Sequence, residues 1–233
     1  MLSTLRRDIG AIADRDPAAR NILDTLLTYP GLHAVIAHRV AHGLWVRGHR
    51  FSARLVSALA RAVTAVDIHP GATLGPGVFI DHATGVVIGE TTIVGADVTI
   101  YQGVTLGGTS LRPGKRHPTL GDRVVVGAGA KVLGDITIGD DARIGANAVV
   151  VRDVPAGTVV VGVPGQVVAR TATLERGQGV DMALDSSVDI VAARLTALVD
   201  RVGELEMQLA GRVSTRGPVE SSDGVWDVDD FVI

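Results

Sequence analysis

Residues 66 to 90 read VDIHPGATLGPGVFIDHATGVVIGE and set Asp67, His69, Asp81 and His82 among small, apolar and glycine residues. A neutral imidazole can take a proton from an alcohol as it attacks an acyl group. A carboxylate bonded to the other ring nitrogen fixes the tautomer and stabilises the imidazolium. Asp67 and His82 stand fifteen residues apart, close to one turn of roughly eighteen if three six-residue segments close a coil, so adjacent coils could bring them together. The plainer alternative makes Asp67 a cap at a helix end and His82 a hydrogen-bonded corner residue. His69, ahead of Pro70, reads as a structural anchor. Arg116 and His117 stand in GGTSLRPGKRHPT, where a guanidinium suits bidentate grip of a carboxylate; a solvated basic loop would have the same composition. Asp16, in DRDP, reads as a helix cap ahead of Pro17. The chain has no cysteine, which rules out disulfides and thiolate zinc sites. His117 has no histidine near it in sequence to complete a zinc site, so we expect no metal.

These residues interrupt a repeat. From Ile68 to Pro164 an aliphatic residue recurs every six positions, at Leu74, Ile80, Val94, Ile100 and Leu106, then at Leu120, Val126, Val132, Ile138, Ile144 and Val150. Period six with frequent glycine fits no amphipathic helix and predicts a parallel β-helix over 67–170, with the aliphatics pointing inward. The register slips between Ile80 and Ile88 and again between Leu106 and Leu120. The chain must leave the prism at both places, the second as an extruded loop over 107–119. Both His82 and His117 therefore sit at breaks.

Residues 1–66 read as a helical domain, with Ser3-Thr4 at its start, a turn at Pro30-Gly31, and an apolar stripe of Leu32, Val35, Ile36, Val40 and Leu44. A linker is expected over 171–185 and an amphipathic helix over 186–212. Val188, Val191, Leu195, Leu198, Val202, Leu205 and Leu209 form a heptad seam that suits a trimeric coiled coil, and equally a helix lying on the prism. A flexible tail over 213–233 ends in Ile233 and concentrates Trp226 and Phe231 in a chain with few aromatics.

At 233 residues the chain can hold a substantial core. Its net charge of -3 and lack of a concentrated basic face argue against a nucleic-acid or membrane surface as the main partner. No signal peptide or spanning segment is apparent in the sequence, so we expect a cytoplasmic protein.

VDIHPGA, FIDHATGVVIGET, TLGGT, GKRHPT, GAGAKVLG and GVPGQVV together resemble the serine O-acetyltransferases, in order and with matched spacing over roughly residues 8 to 170. The resemblance implies a left-handed β-helix and acetyl transfer from acetyl-CoA to the hydroxyl of L-serine, yielding O-acetylserine for cysteine synthesis. It assigns His82 as general base with Asp67 orienting it, Asp16 and Asp81 to the serine ammonium, and Arg116 and His117 to its carboxylate. Coenzyme A would lie in a groove between neighbouring prisms, against Gly108, Thr109, Ala128 and Ala146, with Arg143 meeting a phosphate. Sites would be shared between adjacent subunits of a homotrimer; the short helical part puts the family's hexamer in doubt. L-Cysteine would act as feedback inhibitor, and Asp230, Phe231, Val232 and Ile233 would enter the active site of O-acetylserine sulfhydrylase. The competing readings are transfer to another small acceptor, such as homoserine or a sugar, and a non-enzymatic β-helical scaffold.

Overall fold

The computed structural model describes residues 2–170 and 198–208. The expected linker over 171–185, the seam positions Val188, Val191, Leu195 and Leu209, and the tail with Asp230, Phe231, Val232 and Ile233 lie outside the described residues. Residues 198–208 are helical, as the heptad seam predicts, and carry an Arg201–Glu204 pair at 2.8 Å one turn apart.

Four helices come first: α1 (Leu2–Arg15), α2 (Ile22–Thr28), α3 (Pro30–Val46) and α4 (Arg50–Thr64). Helix α1 already begins at Leu2, so Ser3 and Thr4 lie within its first turn rather than capping it. Pro30 and Gly31 do not make a turn. Proline's fixed φ suits the first turn of a helix, and the break falls at the extended Tyr29 just before it. In the α3 stripe Leu32 and Val35 are buried, whereas Val40 is exposed. Helix α4 stops at Ala65, a left-handed residue, and the first strand starts at Asp67.

From there the chain winds as a prism of very short strands in three faces. The first face stacks Asp67–Ile68, Val87–Ile88, Thr105–Gly107, Lys131–Leu133 and Val149–Val150, all parallel. The second stacks Thr73–Leu74, Ile93–Val94, Thr119–Leu120 and Thr137–Ile138. The third stacks Phe79–Ile80, Thr99–Ile100, Val125–Val126, Arg143–Ile144 and Thr158–Val161, and Gln166–Arg170 closes its end antiparallel. The period-six aliphatics all point inward: Leu74, Ile80, Val94, Ile100, Leu106, Leu120, Val126, Val132, Ile138, Ile144 and Val150 are buried in one continuous core. Small branched side chains suffice here because each layer rests on its equivalent one coil away.

The register measures each coil. Asp67 pairs with Val87, Val87 with Thr105, Thr105 with Lys131 and Lys131 with Val149, so successive coils take 20, 18, 26 and 18 residues. The two oversized coils are the two predicted breaks, and they open at different corners. Residues 81–85 bulge between the third and first faces; the 107–118 loop leaves between the first and second.

The helices are locked to the first coils by polar bonds as well as packing. Asp8 is fully buried, bonds Arg39 at 2.7 and 2.8 Å and accepts the Gly77 N–H, while Arg39 also reaches the Leu74 and Gly75 carbonyls. A buried carboxylate is tolerable only when charge-paired and fully bonded in this way. Arg15 reaches the Gly77 and Val98 carbonyls and pairs with Asp97. Gly31 lies so close to the third face that an added Cβ would stand 1.9 Å from the Ile80 carbonyl oxygen. Helices α1 and α3 therefore bring residues 16 and 29 to the strand that delivers Asp81.

Candidate active site

At the corner between the third and first faces, His82 and Ala83 both hold left-handed backbone, at φ 55 and 51. That costs a non-glycine residue of order 1 kcal/mol or more, and such strain gathers at functional sites. Here the His82 N–H bonds Asp81 Oδ1 at 2.8 Å, and the turn throws the imidazole outward, with its side chain 72% exposed and Nε2 3.8 Å from Asp81 Oδ2. Burial raises the Asp81 carboxyl, and nearby Asp16 adds to the rise against the pull of His82. Asp16 caps no helix, since α2 takes Asn21 as its cap. Its Oδ1 accepts the Ala18 N–H at 2.8 Å and its Oδ2 accepts the Tyr29 hydroxyl at 2.6 Å. That bond pushes the Tyr29 phenol up to about 12, so Tyr29 remains a donor. Tyr101, one coil along from Asp81, is raised by burial and by the same two carboxylates. A carboxylate pair, Asp81 and Asp16, beside the neutral Tyr29 and Tyr101 phenols favours a small cation.

The corner between the first and second faces is basic. Arg116 bonds Glu90 Oε2 through Nη2 at 2.6 Å and holds the Glu90 carboxyl below its usual range. His117 is buried, and its ring lies flat over Gly89: a Cβ there would meet the ring's Cδ2 at 2.0 Å and Nε2 at 2.1 Å. Thr91 gathers the segment, since its hydroxyl lies 3.0 Å from the Arg116 N, 3.2 Å from the His117 N and 2.9 Å from His117 Nδ1. Lys115 bonds the Thr91 carbonyl at 2.9 Å. Burial pushes the His117 imidazole down, and Arg116 and Lys115 push it further against the smaller pull of Glu90, which favours the neutral ring.

Between the two corners lies an open cavity of ≈ 700 Å³ on the first face, walled by α4. Asp67, His69, Glu90, Arg116 and His117 line it together with Arg54 and Arg61. The expected bond between Asp67 and His82 is not formed within the chain. Asp67 instead pairs with Arg61 at 3.1 Å, and the Asp81 corner lies apart from the cavity lining.

The expected coenzyme positions divide in the same way. Gly108 and Thr109 are exposed at the basic corner, whereas Ala128 and Ala146 fall at the His82 corner, two and three coils further along. Small residues are required between stacked corners there: a Cβ on Gly127 would stand 2.7 Å from the Ala146 N. Arg143 lies on the third face beside Asp141. Among the described residues no three His, Asp or Glu side chains converge as a metal cluster would require. Sequence reasoning missed Tyr29, Tyr101, Gly89, Glu90 and Thr91; three of these stand in the quoted IGET motif.

Comparison with known proteins places the chain among relatives of one family. Residues 1–37 match the family model described as serine acetyltransferase, N-terminal, and residues 117–152 match that of the bacterial transferase hexapeptide with six repeats. The serine acetyltransferase of Mycobacterium tuberculosis is 55% identical, covering 100% of both chains. The crystal structure of the Neisseria gonorrhoeae serine acetyltransferase in complex with serine is 46% identical, with a TM-score of 0.70 over 72% of this chain and 69% of that one. The Brucella abortus serine acetyltransferase in complex with coenzyme A is 44% identical, with a TM-score of 0.72 over 73% and 68%. With its helical domain, its left-handed β-helix of hexapeptide coils and its two modified corners, the chain belongs to the serine acetyltransferase family.

Proposed function

We propose that the protein transfers the acetyl group of acetyl-CoA to the hydroxyl of L-serine, in a site that two protomers of a homotrimer complete. The observation that carries this is the division of the site: a cation-binding corner with an exposed imidazole and an anion-binding corner stand on different edges of one prism. An amino acid needs both. Around a threefold axis the first corner of one chain can enter the cavity beside the second corner of its neighbour. Helix α4, which walls that cavity, leaves Phe51, Leu55, Leu59 and Val63 exposed at four-residue spacing, an apolar stripe that a neighbouring chain would cover.

In this arrangement Asp16 and Asp81 hold the serine ammonium, and Arg116 and His117 of the adjacent chain hold its carboxylate. His82 takes the hydroxyl proton as the serine oxygen bonds to the thioester carbonyl carbon. The tetrahedral intermediate then collapses, the C–S bond breaks, and the proton passes from His82 to the departing thiolate. Asp67, which lines the receiving cavity, orients the incoming imidazole once it exchanges Arg61 for it. Attack by the serine oxygen itself on the thioester needs no acyl-enzyme. Acetyl-CoA lies in the groove between prisms, where Gly108 and Thr109 of one chain face Ala128 and Ala146 of the next. Arg143 takes a phosphate.

Because the site reads only ammonium, carboxylate and a short side chain, L-cysteine competes with serine as feedback inhibitor. Asp230, Phe231, Val232 and Ile233 form a segment that binds O-acetylserine sulfhydrylase; calorimetry in which a DVDDFVI peptide fails to bind the sulfhydrylase would refute this. No described helix is long and apolar enough to cross a membrane, and we assign the enzyme to the cytoplasm, where acetyl-CoA is available. The test of the activity is thiol release from acetyl-CoA with L-serine, L-homoserine and glucosamine in parallel. Release with L-serine well above the other two is expected; equal release, or none, would overturn the reading.

A further inference from the structure

The hydrogen bonds around Thr91 determine where the proton of His117 sits. The Thr91 hydroxyl oxygen accepts two backbone N–H groups, from Arg116 at 3.0 Å and from His117 at 3.2 Å. A hydroxyl has two acceptor lone pairs and one proton. With both lone pairs engaged, the 2.9 Å contact to His117 Nδ1 must be the hydroxyl donating to the ring. The Thr91 N–H points at the same nitrogen from 3.3 Å. Two donors meet Nδ1, so Nδ1 is bare and the ring proton is on Nε2. Among the described residues Nε2 has no hydrogen-bond partner; it stands above Gly89 and 3.3 Å from where a Cβ on Gly108 would lie, on the wall of the cavity.

We propose that Thr91 is a positioning residue that locks His117 as its neutral Nε2–H tautomer, so that His117 meets the serine carboxylate as a hydrogen-bond donor and cannot serve as a second base. This deepens the serine acetyltransferase reading and, for the carboxylate contact, rests on it. The charged groups facing the ring agree. Burial disfavours its charged form first, and Arg116 and Lys115 on its own segment add to this; Glu90, at the same corner one coil below, is the single opposing charge. A second proton would have to enter at Nδ1, against two donors already aimed there. The two histidines of the completed site thereby have different work: His82 is exposed and takes protons, whereas His117 is buried, fixed and only gives a hydrogen bond.

The test labels histidine nitrogens in the full-length protein and records two-bond ring correlations at neutral pH, assigning His117 by the signals lost in His117→Asn. A bare Nδ1 and a protonated Nε2 are expected without any ligand. A protonated Nδ1, or an imidazolium, would overturn the proposal whatever the enzyme acts on. In Thr91→Val, which keeps the shape and removes the hydroxyl, the signals should move toward a mixture of tautomers. KM for serine should rise about 10-fold with kcat within about 3-fold of wild type, the size expected for one hydrogen bond used in ground-state binding. Thr91→Ser should restore both. A Thr91→Val protein with the wild-type tautomer, or one that loses kcat at unchanged KM, would contradict it. If Thr91→Val does not fold, the wild-type spectrum and Thr91→Ser still decide. If the wild type proves inactive with serine, the functional reading fails and the spectrum alone judges the tautomer.

Discussion

Gly89→Ala is the smallest substitution that should disable the anion-binding corner while leaving the fold in place. Gly89 does not need left-handed backbone, so alanine is tolerated conformationally. The added methyl would stand 2.0 Å from Cδ2 and 2.1 Å from Nε2 of His117, where carbon contacts settle near ~3.5 Å or more. The ring must therefore retreat by about 1.5 Å, which stretches its 2.9 and 3.3 Å bonds to Thr91 beyond hydrogen-bonding range. Two lost bonds cost roughly 1 kcal/mol each, and a misplacement of ~1 Å in a binding group can cost about 10²-fold in rate. We expect kcat/KM for serine to fall about 10²-fold, with KM for acetyl-CoA unchanged and the trimer intact by sedimentation. The assay is thiol release with each substrate varied in turn. Serine kinetics within a few-fold of wild type would show that His117 does not stand over Gly89 in the working enzyme.

Three further expectations address other parts of the site. His82→Ala should lower kcat by about 10²-fold or more, with Asp67→Asn less damaging because the imidazole remains; near-normal turnover in His82→Ala would remove it as the base. The Asp81 carboxyl is raised by burial and by Asp16, so it becomes neutral on acidification earlier than an ordinary aspartate and then cannot hold an ammonium. KM for serine should accordingly climb on acidification before the acetyl-CoA KM changes; parallel rises in both would refute this. His38 is buried and neutral, its imidazole pushed down to about 3 by burial first and by its charged neighbours second. The unfolded chain gains that proton near ~6.5, so stability present above this value is lost as pH falls, by about 2 kcal/mol at pH 5. Denaturation at fixed protein concentration should show the loss, and His38→Met should abolish it; a His38→Met protein with the wild-type pH dependence would assign the loss elsewhere.

The repeat was legible because it is one-dimensional: a single aliphatic every six residues predicts the inward rows, and Ile100, Leu106 and Ile138 are wholly buried. Its two slips marked the 20- and 26-residue coils. Counting along the chain could not show that the slips open at different corners. For the same reason the spacing of Asp67 and His82 misled. Fifteen residues is near a regular coil, but the His82 bulge lengthens this coil, so Asp67 stacks on Val87, beyond the bulge, and bonds Arg61. Thr91 and Gly89 were hidden because each looks like an ordinary corner residue; their significance comes from a loop that returns 26 residues after Thr91 to place His117 on them. The buried Asp8–Arg39 pair, which sets where Asp16 arrives, joins residues 31 apart on different helices and leaves no periodic trace.

The most direct measurement mixes two inactive enzymes. His82→Ala lacks the base and His117→Asn lacks the carboxylate donor, so with L-serine held well below its wild-type KM, where the rate follows kcat/KM, homotrimers of either should be nearly inactive. If each site takes His82 from one chain and His117 from its neighbour, co-refolding the two in equal amounts creates sites that draw both intact residues, about a quarter of the total by random assortment around a closed ring. The expected result is recovery of about a quarter of wild-type thiol release on co-refolding, and none when the preformed trimers are merely combined. Co-refolded protein as inactive as its parents, in trimers shown to contain both chains, would mean that each site is built within a single chain, contradicting the division of the site between two corners.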